Sequence, residues 1–267
     1  MTEPASQDQI AAATAYETLF VPALFQQWSP RVLDAADVQP GDRVLDVACG
    51  TGILAREATR RVGASGAVVG LDLAEGMLSV AEQLAPEIDW QQGSAEALPF
   101  PDESFDAVVS QFGLMFFADR VKALREMLRV LVSGGRLAIA VWDSLSRIPA
   151  VAKEVAVLER VAGSEAADAL RAPFVLGDPV ALRKLAEDAG IASIDTSTHE
   201  GEARFPSIRA LVEADLRGWL PIMGVVLPDE QITQVLDEAD QDLSEYAQAD
   251  GKMVFDMPAH IVTGTNA

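Results

Sequence analysis

The run Val44-Leu45-Asp46-Val47-Ala48-Cys49-Gly50-Thr51-Gly52 decides how the rest of the chain is read. Its apolar start is a buried strand, Arg43 to Ala48, and the pattern from Ile53 to Val62 is a helix, so the glycines lie at a strand-to-helix junction. Glycine lets the backbone turn tightly and lets a ligand approach with no Cβ in the way. The first N–H groups of the helix lack partners inside it and favour an anionic or electron-rich ligand part. Asp72 ends the next strand, 20 residues beyond Gly52. A carboxylate at that place can accept hydrogen bonds from both hydroxyls of a ribose. Loop and acid together point to an adenosine site, which neither does alone.

Outward from this junction, strand and helix alternate. Ala67 to Asp72 is a second strand and Glu75 to Ala85 a second helix. Ile88 to Gln92, Phe105 to Ser110 and Arg136 to Trp142 are predicted as strands three to five, with a helix over Asp119 to Leu131. This order predicts an α/β fold with a doubly wound, mostly parallel sheet. The first 40 residues carry an apolar helical stripe, Tyr16, Leu19, Phe20, Ala23 and Leu24, with Pro22 expected to kink it or split it in two. After Trp142, residues 148–172 are helical, Asp178-Pro179 opens a helix that stops at Gly190, and Ile191 to Glu200 is a sixth strand. Residues 206–248 are helical again, broken near Pro221 and Gly224, and Lys252 to Thr263 alternates as a last strand. No linker is evident. The expectation is one domain, with a helical cap at 1–40, a core at 41–142, helical additions and the sixth strand at 143–250, and the last strand at 251–267.

Composition narrows the classes of function. The 267 residues are 49% hydrophobic, enough for a sizeable core, and carry 41 acids against 20 Lys and Arg, a net charge of −21. Nucleic acids and anionic membrane surfaces are bound by clustered cations, so neither is an expected partner. No apolar run reaches the roughly 20 residues that span a bilayer. Met1-Thr2-Glu3-Pro4 lacks the basic and apolar parts of a secretion signal, and the single Cys49 fits a reducing compartment. A soluble cytoplasmic protein is expected. Its oligomeric state stays open.

The cofactor is not chosen by pattern alone, because Gly50-Thr51-Gly52-Ile53-Leu54-Ala55 also fits the G-x-G-x-x-A dinucleotide fingerprint. A resemblance separates the candidates. Asp46 to Gly52 resembles the first motif of class I S-adenosylmethionine-dependent methyltransferases, and more narrowly the quinone-biosynthesis C-methyltransferase-like group. Gly70-Leu71-Asp72-Leu73-Ala74-Glu75-Gly76-Met77-Leu78 resembles that group's ribose block. Gly93-Ser94-Ala95-Glu96-Ala97-Leu98-Pro99-Phe100 with Ser104-Phe105-Asp106 resembles its adenine-side block, and Arg129-Val130-Leu131 with Gly134-Gly135 the turn into strand five. The blocks cover about residues 40–142; residues 143–267 are similar only in layout.

The resemblance implies a seven-stranded sheet whose last strand runs antiparallel, helical lid additions, and S-adenosyl-L-methionine as cofactor. It implies that the Ala48, Cys49, Gly50 and Gly52 backbone lines the methionine part and that Asp46 reaches the amino group. Asp72 would hold the ribose, Leu73 and Met77 would pack on adenine, and Ser94 and Ala95 would meet its edge. Ser110 and Gln111 would close the site. Ala48 replaces a common first glycine, and Ser94 stands where an aspartate frequently binds the adenine amino group, a contact that Glu96 could supply. In similar enzymes the N-terminal helices fold over the cofactor, which makes Tyr16 a candidate. Phe112 and Trp142 follow strands four and five and are candidates to line the substrate site; core packing is their ordinary alternative.

Cys49 has no neighbouring base in the sequence and is expected as a small buried residue rather than a nucleophile. His199 falls on an edge strand and His260 towards the far end of the last strand, so neither is expected in catalysis, and no metal site is expected. No catalytic residue is assigned. The expected reaction is methyl transfer to a small, apolar or aromatic molecule. A rearrangement or cyclisation without methyl transfer would use the same loop, as would a regulatory module without chemistry. An NAD-dependent oxidoreductase is disfavoured by the Gly93 to Phe100 block and by the absence of a Tyr-x-x-x-Lys pair.

Overall fold

In the computed structural model, which describes residues 5–267, the apolar run before the glycine loop is β1 (Arg43–Val47), near the middle of a sheet. Met1–Pro4, on which the absence of a secretion signal was read, lie outside the described residues. β1 pairs in parallel with β2 (Ala67–Asp72) on one side and β4 (Phe105–Gln111) on the other. β3 (Asp89–Gln92) flanks β2, and β5 (Leu131–Trp142) flanks β4, both in parallel. The edge beyond β5 is closed by β9 (Ala259–Thr265), antiparallel to β5, and then by β6 (Ala192–His199). The seven-stranded order is therefore β3-β2-β1-β4-β5-β9-β6. The chain leaves β1 towards β2 on one side and returns to β4 on the other, so the switch point, where such sheets bind ligands, lies at the carboxyl ends of β1 and β4.

Two strands depart from expectation. Lys252 to Thr263 is not one strand: it breaks at Met257-Pro258, where proline has no N–H to offer a ladder. The piece before the break, β8 (Met253–Asp256), pairs with the unexpected β7 (Glu202–Phe205) in a separate two-stranded sheet. β5 also begins at Leu131 rather than Arg136, and a bulge between its first pair and the rest takes up the Ser133-Gly134-Gly135 turn residues.

The helices α3 (Ile53–Val62), α4 (Glu75–Leu84) and α5 (Arg120–Val130) match their apolar spacing and pack against the sheet. The long helical stretch after β5 is divided at Gly163, which adopts φ +88°, into α6 (Pro149–Ala162) and α7 (Ser164–Arg171). α8 (Pro179–Ala189) starts where Asp178 accepts hydrogen bonds from the Val180 and Ala181 amides and stops at left-handed Gly190. α9 (Ile208–Ala214) widens through Asp215–Trp219 into the short α10 (Leu220–Ile222), and α11 (Asp229–Asp242) follows a break. Among the described residues no helix is long and apolar enough to cross a membrane.

Pro22 does not split the first helix. α1 (Gln7–Ala15), opened by a Ser6/Gln9 capping box, runs on into a π-helical turn over Tyr16–Phe25. Bonds that reach five residues back, such as Gln26 N–H to Val21 O at 2.9 Å, absorb the proline's missing donor. In a regular helix residues nine apart point in opposite directions. The wider turn puts Tyr16 and Phe25 on one side, where their rings stack at 5.3 Å.

α2 (Ser29–Ala35) follows, and the fully buried Trp28 before it meets Phe112 and Trp142 edge-on at 5.8 and 6.0 Å. Trp28→Ala should therefore lower unfolding free energy by about 3–5 kcal/mol in urea titration. A loss under about 1 kcal/mol would mean this aromatic contact does not anchor the N-terminal helices.

Candidate functional site

The loop after β1 takes a backbone path that few residues tolerate. Ala48, Gly50 and Gly52 have φ of +59°, +56° and +86°. Left-handed backbone at Ala48 costs on the order of 1–2 kcal/mol, so the surroundings must hold it. Cys49 N–H donates to Leu71 O at 3.0 Å, and Gly50 N–H donates to Asp72 Oδ2 at 2.8 Å. The other Asp72 oxygen accepts from Ala74 N–H at 2.8 Å. Behind the loop lies Trp90: a Cβ on Gly52 or on Gly70 would stand 2.3 Å from its ring. At Gly52, Trp90 and the residue's own φ each require glycine.

Against the loop lies a cavity of about 450 Å³. Asp46, Ala48, Cys49, Gly50, Asp72, Leu73, Met77, Ser94, Ala95, Glu96, Gln111, Phe112 and Tyr16 all line it. Three predicted residues do not. Gly52 faces Trp90, Ser110 is fully buried beside Gly113, and Trp142 lines a second cavity. Phe116 and Phe117, aromatics that follow strand four in the sequence, also line it, and Gly113, Trp219, Ile222 and Met223, which drew no attention there, complete the wall.

The electrostatics of the cavity are set by burial. Both Asp46 oxygens are buried without a hydrogen-bond partner. Desolvation drives that carboxyl well above its usual range, the nearby Ala55 amide pulls the other way, and Asp72 adds to the rise. Asp72 itself is raised by burial, partly opposed by the Ala74, Gly50 and Leu73 amides. Burial, then Asp72, Glu17 and Asp46, push the Tyr16 phenol far above its ordinary value. Burial likewise raises the Cys49 thiol, with Asp46 and Asp72 adding to it, which leaves it a poor nucleophile. Glu96 is held low by the Asp119 amide and by Ser94, whose hydroxyl donates to it at 2.9 Å. One Glu96 oxygen thus caps α5's approach and the other holds Ser94, so both are engaged within the chain.

The N-terminal helix is latched over this loop by a cluster that no sequence motif announces. Glu17 accepts from Thr51 Oγ1 at 2.5 Å and from Arg56 at 2.7 Å. Gln111 accepts from Ser29 and donates to Phe25 O, tying the end of β4 to the same segment. Beside the first cavity a second, of about 140 Å³, is walled by Phe20, Phe25, Phe112, Trp142, Phe174, Phe205 and their neighbours. Phe112 and Trp142 stack at 3.7 Å. Tyr16, Phe112, Phe116 and Trp219 line both cavities.

His260 lies elsewhere than expected. Because the chain breaks at Pro258, it is the second residue of β9, opposite Val141 at the site end of the sheet. It points away from both cavities, bonded to Thr198 at 2.9 Å and to Gly177 O at 3.1 Å. His199 is on the edge strand and bonds to Ser197.

Residues 17–155 match the ubiE/COQ5 methyltransferase family. The chain belongs to that family. It is 44% identical over 119 residues to the 2-phytyl-1,4-naphtoquinone methyltransferase of Thermosynechococcus vestitus, covering 43% of this chain and 53% of that protein. It is 48% identical over 125 residues to the ubiquinone/menaquinone biosynthesis C-methyltransferase UbiE of Xanthomonas oryzae pv. oryzae, covering 45% and 49%. The chain spans about half the length of the curated relatives it matches. Among solved structures, the Haemonchus contortus phosphoethanolamine N-methyltransferase 2 in complex with S-adenosyl-L-methionine superposes with a TM-score of 0.60 at 18% identity, covering 97% of this chain and 57% of that one. YcgJ of Bacillus subtilis gives 0.56 at 20% identity, covering 90% and 97%. At these identities the superpositions bear on the fold alone. It is the doubly wound methyltransferase sheet, helices on both faces.

The family match begins at Glu17, the residue that latches the helix. Glu17→Ala removes two charge-assisted hydrogen bonds, together worth about 1.5–3 kcal/mol. Amide exchange over residues 7–25 should quicken by about tenfold to a hundredfold, with β1 and β4 unchanged. Unaltered protection there would show that the latch contributes nothing.

Proposed function

We propose that the chain binds S-adenosyl-L-methionine in the loop cavity and transfers its methyl group to a small apolar or aromatic molecule in the second cavity. The observation that carries this reading is the shared wall of Tyr16, Phe112, Phe116 and Trp219, which joins a cavity lined by Gly50, Asp46 and Asp72 to an aromatic one. The residues present suit the cofactor. Asp46, buried and without a partner, has the acceptors that an ammonium group needs. Asp72 spends one hydrogen bond per oxygen on backbone amides and keeps lone pairs for ribose hydroxyls. Leu73 and Met77 offer apolar contact to an adenine ring, with Ser94 and Ala95 at its edge.

The bound cofactor would supply a methyl group already activated on a sulfonium. The chain's own part is to align the two molecules and to exclude water, which can contribute on the order of 7–11 kcal/mol in favourable cases. Tyr16, its phenol kept neutral by burial, can donate a hydrogen bond between the cavities but cannot act as a base near neutral pH. The segments beyond residue 142 bring Val151, Leu170, Phe174, Leu211 and Trp219 to the second cavity, which supports their role, with the Tyr16–Phe25 turn, as a lid. A small-molecule partner and a cytoplasmic setting belong to this reading, and the net charge of −21 argues against nucleic acid.

Calorimetric titration should show binding of S-adenosylmethionine and S-adenosylhomocysteine and none of NAD. Tight NAD binding without response to either sulfur ligand would overturn the assignment. Asp72→Ala should weaken cofactor binding at least about tenfold, because charge-assisted bonds to two hydroxyls are lost. An unchanged dissociation constant would place the ribose elsewhere. In limited proteolysis, cuts within residues 5–30 should slow when cofactor is present. Equal cleavage in both states, with full activity after removal of the segment, would refute the lid.

A further inference from the structure

The second cavity is walled by rings and aliphatic side chains, yet two carboxyls open into it. Glu154 comes from the middle of α6 and Asp215 from the π turn after α9; they are 1% and 7% exposed. They line the same cavity, and each is the only charged neighbour that shifts the other. Glu154 Oε1 has no partner at all. The cations on α6, α7, α9 and the π turn after it are engaged at the surface: Lys153 with Glu245, Arg160 with Glu238 and Asp242, Arg171 with Glu159 and Asp168, Arg209 with Asp237 and Asp240, Arg217 with Glu213 and Asp229. Tyr16 is the one other titratable side chain that lines this cavity among the described residues.

Two carboxyls in an apolar site without a cation cannot both ionise, so the pair retains a proton. Burial raises Asp215 to about 7, partly opposed by Glu154, and burial also drives the Glu154 carboxyl well above its usual range, with Asp215 adding to the rise. A pair of this kind destabilises a fold relative to apolar side chains of the same shape, so packing does not account for it. Near neutral pH it can both donate and accept a hydrogen bond. A hydroxyl does the same, whereas an ammonium only donates. The cavity, about 140 Å³, is close to the roughly 150 Å³ that houses a benzene ring.

We propose that Glu154 and Asp215 hold the hydroxyl of a phenolic acceptor in the aromatic cavity and take its proton. The proposal rests on the second cavity being the acceptor site. Methyl transfer from a sulfonium to a neutral hydroxyl compound releases one proton. The O–H bond breaks and the proton passes to the Asp215 carboxylate. The electron pair stays on the acceptor, which bonds the methyl carbon, and the C–S pair returns to sulfur.

Calorimetric titration with phenol, anisole, benzene and benzylammonium tests this without turnover. Phenol should bind at least about tenfold more tightly than benzene or anisole at about pH 8. Its advantage should grow from about pH 6 to about pH 8, as Asp215 ionises through about 7. Asp215→Asn and Glu154→Gln should each cut the advantage to about threefold or less and leave benzene binding unchanged. Equal binding of phenol and benzene, or tightest binding of benzylammonium, would overturn the proposal. Folding of the variants is read separately. A carboxyl whose folded pKa is raised stabilises fully at low pH, and that contribution is lost as pH rises through the folded value. The wild-type Tm should therefore fall between about pH 4 and about pH 7, and Asp215→Asn should flatten that fall; a wild-type Tm flat over this window would also overturn it. S-adenosylmethionine titration of the same variants should match wild type, so a failure of cofactor binding would count against the proposed function and leave the phenol preference to stand or fall by itself.

Discussion

The hydrogen bond from the Gly50 amide to Asp72 Oδ2 ties the loop after β1 to the end of β2. Together with the Cys49 amide bond to Leu71 O, it opposes the cost of the left-handed backbone at Ala48 and Gly50, neither of which is held by the sheet ladder itself. The same carboxylate takes the Ala74 amide and so sets the start of α4. One acidic side chain thus defines the floor of the larger cavity and orients the helix beside it. Trp90 supports the loop from behind by filling the space that Gly52 and Gly70 leave, and Glu17 closes it in front through Thr51 and Arg56.

The smaller cavity depends on that closure. Its rings come from the loop after β4, from the end of β5, from the N-terminal helix and from segments after residue 142, so no single stretch of chain contains it. Trp28 joins the parts, packing edge-on against the stacked Phe112 and Trp142 while the helix before it supplies Tyr16 and Phe25. An apolar core in this position leaves the two acids facing each other as its main polar content. The site's chemistry therefore lies in a few groups whose charge is governed by desolvation.

Much of the scaffold was legible in the sequence, and the physical reason is plain. Strands buried on both faces read as unbroken apolar runs, which made β1, β2, β4 and β5 recognisable, and Asp178 and Gly190 mark the ends of α8 by their own chemistry. The short pair β7 and β8 carries too few residues for a period to emerge, and the break at Met257-Pro258 hid within an alternating run. That break also decides which end of the sheet His260 occupies. Most cavity-lining positions near the glycine loop were named from their motif, yet Gly52 and Ser110 were not separable from their lining neighbours, because facing depends on Trp90 and Gly113. Glu154 and Asp215 were invisible for another reason. In a chain with 41 acids, two that are buried look like any others on a helix.

The π turn over Tyr16–Phe25 has a consequence for how this wall can change. Its rings share a side only because the turn holds more residues than a regular helix would. Exchanging one ring for another alters volume and leaves the row in place. Deleting a single residue between Tyr16 and Phe25 would restore ordinary winding and swing one ring out of line with the other. Along this segment the spacing of the side chains is more tightly constrained than their identity, so insertions and deletions are a sharper means of reshaping the pocket than substitutions.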